Sequence, residues 1–189
     1  MSHPPTVFTD AHRQTALDVA RDSILARLTG HAVTLPDIAD FPAASGVFVT
    51  IKVQGQLRGC LGTLECERTL LIEIGRCAAD AATVDRRFAP IGFEELPELS
   101  IEISVLGPLE QIDPVRENAI EIGVHGLVIE QGSHRGLLLP QVASERRWTV
   151  EHFLRQTCVK AYLPPDAWER GATVYRFDAE IFGSAAPGI

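Results

Sequence analysis

The chain has 189 residues, of which 46% are hydrophobic and 22% are charged, and its formal net charge is −8 from 25 acidic and 17 basic side chains. This composition is typical of a globular protein with one domain or two small lobes. The acidic balance argues against broad nucleic-acid binding, which requires a concentrated positive surface. The candidates for a local basic cluster are residues 85–87 and 145–147.

Four cysteines, Cys60, Cys66, Cys77 and Cys158, are too few and too irregularly spaced for a disulfide framework. No Cys-x-x-Cys pair or Cys/His cluster has zinc-site spacing, so the sequence predicts no metal, and no motif indicates a cofactor. The first residues lack the apolar run of a signal peptide, and no window approaches the ~18 apolar residues of a membrane span. These features predict a cytoplasmic protein with free thiols.

The first half of the chain predicts a helix, a hairpin and a second helix. Residues 1–9 are interpreted as a flexible start, and Thr9 or Asp10 caps a helix that reaches residue 29 before Gly30. After a loop, residues 47–54 alternate with period two, turn at Gly55 and return as an antiparallel strand. Residues 70–84 form the next helix, with Cys77 in the core.

The second half predicts more antiparallel strands and one long helix. The expected elements are a strand at 99–105, a helical turn after Pro114, an extended pattern at 120–124, a hairpin at 127–139 with its turn at 131–136, a loop at 142–147, a helix from Thr149 to 160, a strand at 175–181 and a flexible tail from 184. This order predicts an α+β fold with mostly antiparallel sheets and flanking helices.

The segment Leu-Arg-Gly-Cys-Leu-Gly-Thr, residues 57–63, is the most informative stretch. It places the Cys60 thiol between Gly59 and Gly62, two residues after Arg58. In one interpretation, Cys60 and Arg58 line a pocket floored by glycine backbone, and the cation favours the thiolate. In the other, Cys60 is a small buried hydrophobe, Arg58 is a surface charge and the glycines serve a bend.

Several other side chains each allow a functional and a structural interpretation. Asp85 and Arg87 form a loop-bracing ion pair or part of a site, and Phe88 anchors that loop. His125 is a general base or a hydrogen-bonded core residue. Trp148 stacks on a planar ligand or holds the start of a helix, and Lys160 is a reactive amine or complements the helix dipole.

The segment at 57–63 resembles the Leu-Arg-Gly-Cys-Ile-Gly-Thr signature of the AMMECR domain family, protein A of the AmmeMemoRadiSam system. The resemblance covers residues 10–183 as a single domain. The matching segments, in the order expected for the family, are Gly46-Val47-Phe48-Val49-Thr50, Asp85-Arg86-Arg87-Phe88-Ala89-Pro90, Ile103-Ser104-Val105-Leu106, Gly123-Val124-His125-Gly126-Leu127, Leu138-Leu139-Pro140-Gln141-Val142-Ala143, and Trp148 ahead of Phe153-Leu154, Cys158 and Lys160-Ala161. One departure is Tyr162, where the family usually has glycine.

The resemblance implies two unequal lobes in one compact unit, with the signature near their junction. It also implies a modification pathway shared with a Memo-like protein and a radical SAM protein, acting on a small aromatic or nucleobase-like substrate.

The sequence is compatible with three functions. In an enzyme, Cys60 is nucleophile or acid/base, Arg58 holds an anionic group, and Asp85, Arg87, His125 and Lys160 are helpers. In a non-catalytic binding or protein-interaction module, Arg58 and Trp148 matter more than the thiol. In both, Gly59, Gly62, Thr63, Phe88 and Trp148 contribute to binding. The third alternative is a purely structural signature.

Overall fold

The computed structural model describes residues 8–36, 38, 40–116 and 118–184. These residues form two compact units, the first reaching Leu106 and resuming at Glu180, the second comprising Gly107–Ala179. The helices and strands, in chain order, are α1 (Asp10–Thr29), β1 (Gly46–Val53), β2 (Gln56–Thr63), α2 (Leu70–Thr83), β3 (Leu99–Leu106), β4 (Glu110–Ile112), β5 (His125–Gln131), β6 (His134–Leu138), α3 (Pro140–Glu145), α4 (Val150–Lys160) and β7 (Thr173–Gly183), with 3-10 helices at Phe93–Glu98 and Ala167–Glu169.

The first unit contains the antiparallel strands β2, β1 and β3 in that order, packed against α1 and α2. Successive side chains of β1 point to opposite faces: Val47, Val49 and Ile51 are fully buried in the core, while Phe48 and Thr50 point to the opposite face. Helix α2 contributes its apolar stripe to the same core, including Cys77 as predicted. The hydrophobic pattern therefore orients the hairpin, with one face on the helices and one face away from them.

The ends of α1 follow from local chemistry. The Thr9 side chain accepts a hydrogen bond from the His12 N–H, and the His12 side chain accepts one from the Thr9 N–H, which completes a capping box. Gly30 ends the helix with a positive φ of 73°. The predicted helix bounds are confirmed. In the predicted flexible start, Phe8 is buried and Thr9 caps α1. The rest of that segment, residues 1–7, lies outside the described residues, as do residues 185–189 of the predicted tail.

The second unit contains the antiparallel strands β4, β7, β5 and β6, covered by α3 and α4. Its core joins Leu127 and Ile129 of the sheet to Phe153, Leu154 and Cys158 of α4. Strand β7 begins in this unit and its last residues belong to the first unit, where Ser184 N–H donates to the Ile101 carbonyl. The α+β fold with mostly antiparallel strands is confirmed, and two unequal units are present. The place of the signature near a junction stays a prediction.

Three local predictions in the second unit are wrong. Residues 120–124 form a turn, because the N–H groups of Val124 and His125 both donate to the Glu121 carbonyl and Gly123 adopts a φ of 87°. The predicted loop at 142–147 is largely α3, because Pro140 occupies the first helical turn, where its missing N–H costs nothing. The hairpin turn is shorter than predicted, since β5 reaches Gln131 and β6 starts at His134.

Tyr162, the departure from the family pattern, has a φ of 58° and is 89% exposed. This left-handed conformation is the one that glycine adopts without strain. The tyrosine therefore keeps the backbone geometry that a glycine there would favour. In the part of the chain that the structure describes, no helix is both long and apolar enough to cross a membrane.

Candidate functional site

The β1–β2 hairpin determines where each residue of the signature points. Thr50 faces Cys60 across the two strands and Ile51 faces Gly59, but Lys52 faces Leu57, so Arg58 is the extra residue of a β-bulge. Strand β2 pairs with β1 only among the described strands and is an edge strand. The bulge and the edge together present Cys60 and Arg58 at the rim of the sheet.

The Cys60 sulfur lies beside the hydroxyl of Thr50. Cys60 is partly exposed, and Thr50 Oγ1 donates to Cys60 Sγ at 3.2 Å. The two residues face each other at a position where the main-chain groups of Cys60 point away from β1. Side chains at such non-hydrogen-bonded positions approach each other more closely than at hydrogen-bonded ones. The register of the hairpin therefore places a hydroxyl on the thiol.

The outward main-chain groups of Cys60 are held by Asp85 and Arg87. Cys60 N–H donates to Asp85 Oδ2 at 2.9 Å, and Arg87 Nη2 donates to the Cys60 carbonyl at 3.1 Å. Arg87 also donates from Nε and Nη2 to the two Asp85 oxygens, at 2.9 and 2.6 Å. The carboxylate and the guanidinium thus satisfy the edge of β2 at Cys60 as a neighbouring strand would.

The ion pair has a buried and an exposed partner. The Asp85 side chain is 4% exposed and the Arg87 side chain 53%. Hydrogen bonds from Arg87, and then those from the Cys60 and Arg87 N–H groups, lower the pKa of Asp85 to about 2. Hydrogen bonds to Asp85 raise the pKa of Arg87, and its interaction with Cys60 adds to that shift. The predicted loop-bracing pair is therefore present, and it contacts Cys60 directly.

Arg58 is paired with a residue that the sequence did not single out. Its Nε and Nη2 donate to the Glu95 carboxylate at 2.6 and 2.9 Å, and its Nη1 donates to the Ala89 carbonyl at 3.2 Å. Hydrogen bonds from Arg58, and then from the Gly92 N–H, lower the pKa of Glu95. The predicted role of Arg58 in holding an anionic group requires its guanidinium to leave Glu95. Arg87, by contrast, contacts Cys60 through the main-chain carbonyl.

The two glycines of the signature permit close packing. A Cβ at Gly59 would collide with the Ala81 carbonyl oxygen of α2, and a Cβ at Gly62 would collide with the Phe48 ring and the Val47 carbonyl. Gly59 therefore lets β2 lie directly on the helix, and Gly62 lies under a phenyl ring. The sequence interpretation in which both glycines floor an open notch is not what the structure shows, because both surfaces are occupied.

Thr63 and Phe88 have local roles at the two ends of the cluster. The Thr63 hydroxyl donates to the Glu65 carbonyl and accepts from the Glu65 N–H, which shapes the turn after β2. The Phe88 N–H donates to the Asp85 carbonyl, and the Arg87 guanidinium lies 5.3 Å from the Phe88 ring centre. Phe88 therefore stabilises the loop that carries the ion pair.

His125, Trp148 and Lys160 belong to the second unit. His125 Nδ1 accepts from the Glu121 N–H at 2.9 Å, and its Nε2 lies 3.7 Å from Asp178. The Trp148 ring contacts His152 at the start of α4, and Lys160 is the last residue of that helix. These contacts match the structural interpretations offered for the three residues, and their predicted site roles stay predictions.

The other three cysteines differ from Cys60 in their surroundings. Burial raises the pKa of Cys66, Cys77 and Cys158, that of Cys77 to about 11. A raised pKa leaves little thiolate at neutral pH and makes a thiol unreactive. Among the described residues, no group of three or more His, Cys, Asp or Glu side chains could hold a metal ion.

Sequence reasoning missed Thr50 and Glu95. Thr50 could have been found by counting across the hairpin from the turn at Gly55, although the bulge at Arg58 shifts that count by one. No local pattern identifies Glu95, because it lies in a 3-10 helix 37 positions after Arg58.

Comparisons with known proteins extend over almost the whole chain. The AMMECR1 family model matches residues 17–182. A protein of Methanosarcina acetivorans is 42% identical over 190 residues, with 96% of each chain covered. A protein of Methanothermobacter thermautotrophicus is 44% identical over 177 residues, with 89% of this chain and 92% of its own covered. The crystal structure of the uncharacterized protein PH0010 from Pyrococcus horikoshii is similar with a TM-score of 0.86 and 37% identity, covering 95% of each chain.

Proposed function

We propose, from the premise that this chain belongs to the AMMECR1 family, that Cys60 is the reacting group of a site that acts on a small molecule. The observation that carries the proposal is the set of contacts around Cys60. A partly exposed thiol accepts a hydrogen bond from Thr50, and its main chain is held by Asp85 and Arg87. A partly exposed cysteine whose main chain contacts a guanidinium lies in the kind of surroundings in which reactive cysteines occur.

The contacts of Cys60 support a nucleophile or a proton donor and acceptor. Both main-chain groups of Cys60 are hydrogen-bonded, so the backbone from which the sulfur projects is held at the strand edge. Arg87 is the more exposed partner of its ion pair and can contact a substrate group next to the sulfur. We assign Asp85 the role of orienting Arg87.

The test is the rate of thiol alkylation by iodoacetamide across pH, with the sites located by mass spectrometry. We expect Cys60 to react faster than Cys66 near neutral pH, by about tenfold or more, because burial raises the pKa of Cys66. Cys77 and Cys158 are buried and serve as unreactive internal controls. A Cys60 that reacts no faster than Cys66 would contradict an activated thiolate.

The second candidate is a non-catalytic binding module that presents a substrate or a partner. Both guanidinium groups near Cys60 are already paired with carboxylates, Arg58 with Glu95 and Arg87 with Asp85, which favours a preformed surface over free charges. In this role Arg58 matters more than the sulfur.

The partners of either function are proposed from the family resemblance. They are a Memo-like protein and a radical SAM protein acting in one modification pathway. Affinity capture with the purified partners, using wild-type protein, Cys60→Ser and Arg58→Ala, separates the two functions. A binding module retains capture in C60S and loses it in R58A. An enzyme retains capture in both variants but loses turnover in C60S.

A further inference from the structure

We infer that the hydroxyl of Thr50 is the hydrogen-bond donor that stabilises the thiolate of Cys60. The inference rests on the function proposed above and names a residue for it. Thr50 lies on β1, while Cys60 lies on β2, and the contact joins Oγ1 to Sγ at 3.2 Å.

The position of Thr50 in the sheet holds its hydroxyl in place. Strand β1 is paired on both sides, so Thr50 faces Cys60 on one neighbour and Glu102 on the other. Thr50 is only 9% exposed. A β-branched side chain in a strand is restricted at χ1, so little freedom remains for the hydroxyl to leave the sulfur. The contact is therefore a fixed feature of the hairpin register.

A threonine hydroxyl can serve both protonation states of the sulfur. With the neutral thiol, the S–H can donate to the hydroxyl oxygen. With the thiolate, the hydroxyl donates to the negatively charged sulfur. A hydrogen bond to the charged form favours that form, and bonds to charged groups are the stronger ones. The hydroxyl therefore shifts the balance toward the reactive thiolate.

The charged groups near Cys60 must be held constant in the test. Asp85 and Arg87 contact the Cys60 main chain, Arg58 precedes it on β2, and Lys52 of β1 lies 3.7 Å from Glu102 of β3. Thr50→Val leaves every one of these groups in place. It replaces the hydroxyl by a methyl of similar size, so a change in Cys60 reactivity reports the hydroxyl.

The experiment measures the pH midpoint of Cys60 alkylation by iodoacetamide in the full chain. We expect T50V to move the midpoint upward by about one pH unit, which lowers the Cys60 rate about tenfold below the midpoint. Thr50→Ser restores the hydroxyl and should restore the wild-type midpoint. Thr50→Ala removes the hydroxyl without placing a methyl on the sulfur, and should give the same midpoint as T50V.

Matched controls separate this inference from the proposed function. Ser100→Ala removes a hydroxyl from β3 that donates to the Lys52 carbonyl, and should leave the Cys60 midpoint unchanged. Equal midpoints in wild type and T50V, or a T50S midpoint that follows T50V, would overturn the role of Thr50. A wild-type Cys60 no faster than Cys66 would instead overturn the proposed function, whatever T50V does.

Discussion

At the scale of single residues, Asp85 joins segments that lie 25 positions apart in the chain. Its buried carboxylate accepts hydrogen bonds from the Cys60 N–H and from two side-chain nitrogens of Arg87. A buried carboxylate is stable only when its hydrogen bonds replace those of water. Asp85 therefore depends on both partners, and both partners depend on its charge.

Asp85→Asn should lower the free energy of unfolding by about 2 kcal/mol at neutral pH. The pKa of Asp85 is lowered from 3.8 to about 2 in the folded protein. Its contribution is thus complete above pH ~4, the unfolded-state value, and disappears as the pH falls toward 2. Urea unfolding at pH 7 and at lower pH should show wild type and D85N converging in acid.

The control for D85N is Asp10→Asn, which breaks an ion pair with Arg13 whose carboxylate is fully exposed. Exposed pairs contribute little to stability. D10N should therefore keep the wild-type pH dependence. A D85N protein whose deficit relative to wild type is the same at every pH would show that the charge of Asp85 is not what stabilises the loop.

At the scale of elements, the contact between β2 and α2 depends on the absence of a side chain at Gly59. The strand backbone lies against the Ala81 carbonyl, and small residues on α2 keep the helix close, among them Ala78, Ala81 and Ala82. Neither partner of the collision is a flexible side chain, so an added methyl group must displace the strand or the helix. The same strand carries Cys60 one residue later.

Gly59→Ala should destabilise the protein by about 2 kcal/mol or more, because the new Cβ overlaps a main-chain oxygen. The matched variant is Gly55→Ala in the hairpin turn, where φ is 77° and no atom lies within 4 Å of the added Cβ. Gly55→Ala should lower the free energy of unfolding by only ~1 kcal/mol, because alanine is mildly strained in the left-handed conformation. Thermal and urea unfolding measure both. Equal losses in the two variants would refute the packing role of Gly59.

At the scale of the whole molecule, the described chain has two separate cores. One core lies in the unit with the β1–β2 hairpin, and the other joins α4 to β5 and β7 in the second unit. Each core contains its own fully buried aliphatic residues, such as Ile74 in the first and Leu154 in the second. Local stability within one chain follows such divisions when each unit packs mainly on itself.

Leu154→Ala and Ile74→Ala should each cost about 2–5 kcal/mol, since both remove buried methyl groups. The two variants should lose hydrogen-exchange protection in different units. By amide hydrogen exchange, L154A should deprotect β5, β6 and α4 first, and I74A should deprotect α1, α2 and β1 first. Equal deprotection of both units in either variant would contradict two separately packed cores.

The elements with a clear local pattern could be predicted from the sequence. Helix α1 has its cap at Thr9 and its stop at Gly30, and β1 buries every second residue from Val47 to Ile51 in the core. Residues 120–124 alternate as well, but a turn closed on the Glu121 carbonyl and a positive φ at Gly123 overrode the pattern. Pro140 follows the predicted hairpin and begins α3, because proline can both end a strand and occupy the first turn of a helix.

The signature and the family resemblance followed from the sequence alone, since both depend on residue order. Only the tertiary structure decided which groups contact the thiol. Thr50 reaches the sulfur through strand register, Asp85 and Arg87 hold the Cys60 main chain at the unpaired edge of β2, and Arg58 pairs with Glu95. Periodicity encodes which face of an element is buried, whereas contacts between residues 10 to 37 positions apart arise only when the elements pack.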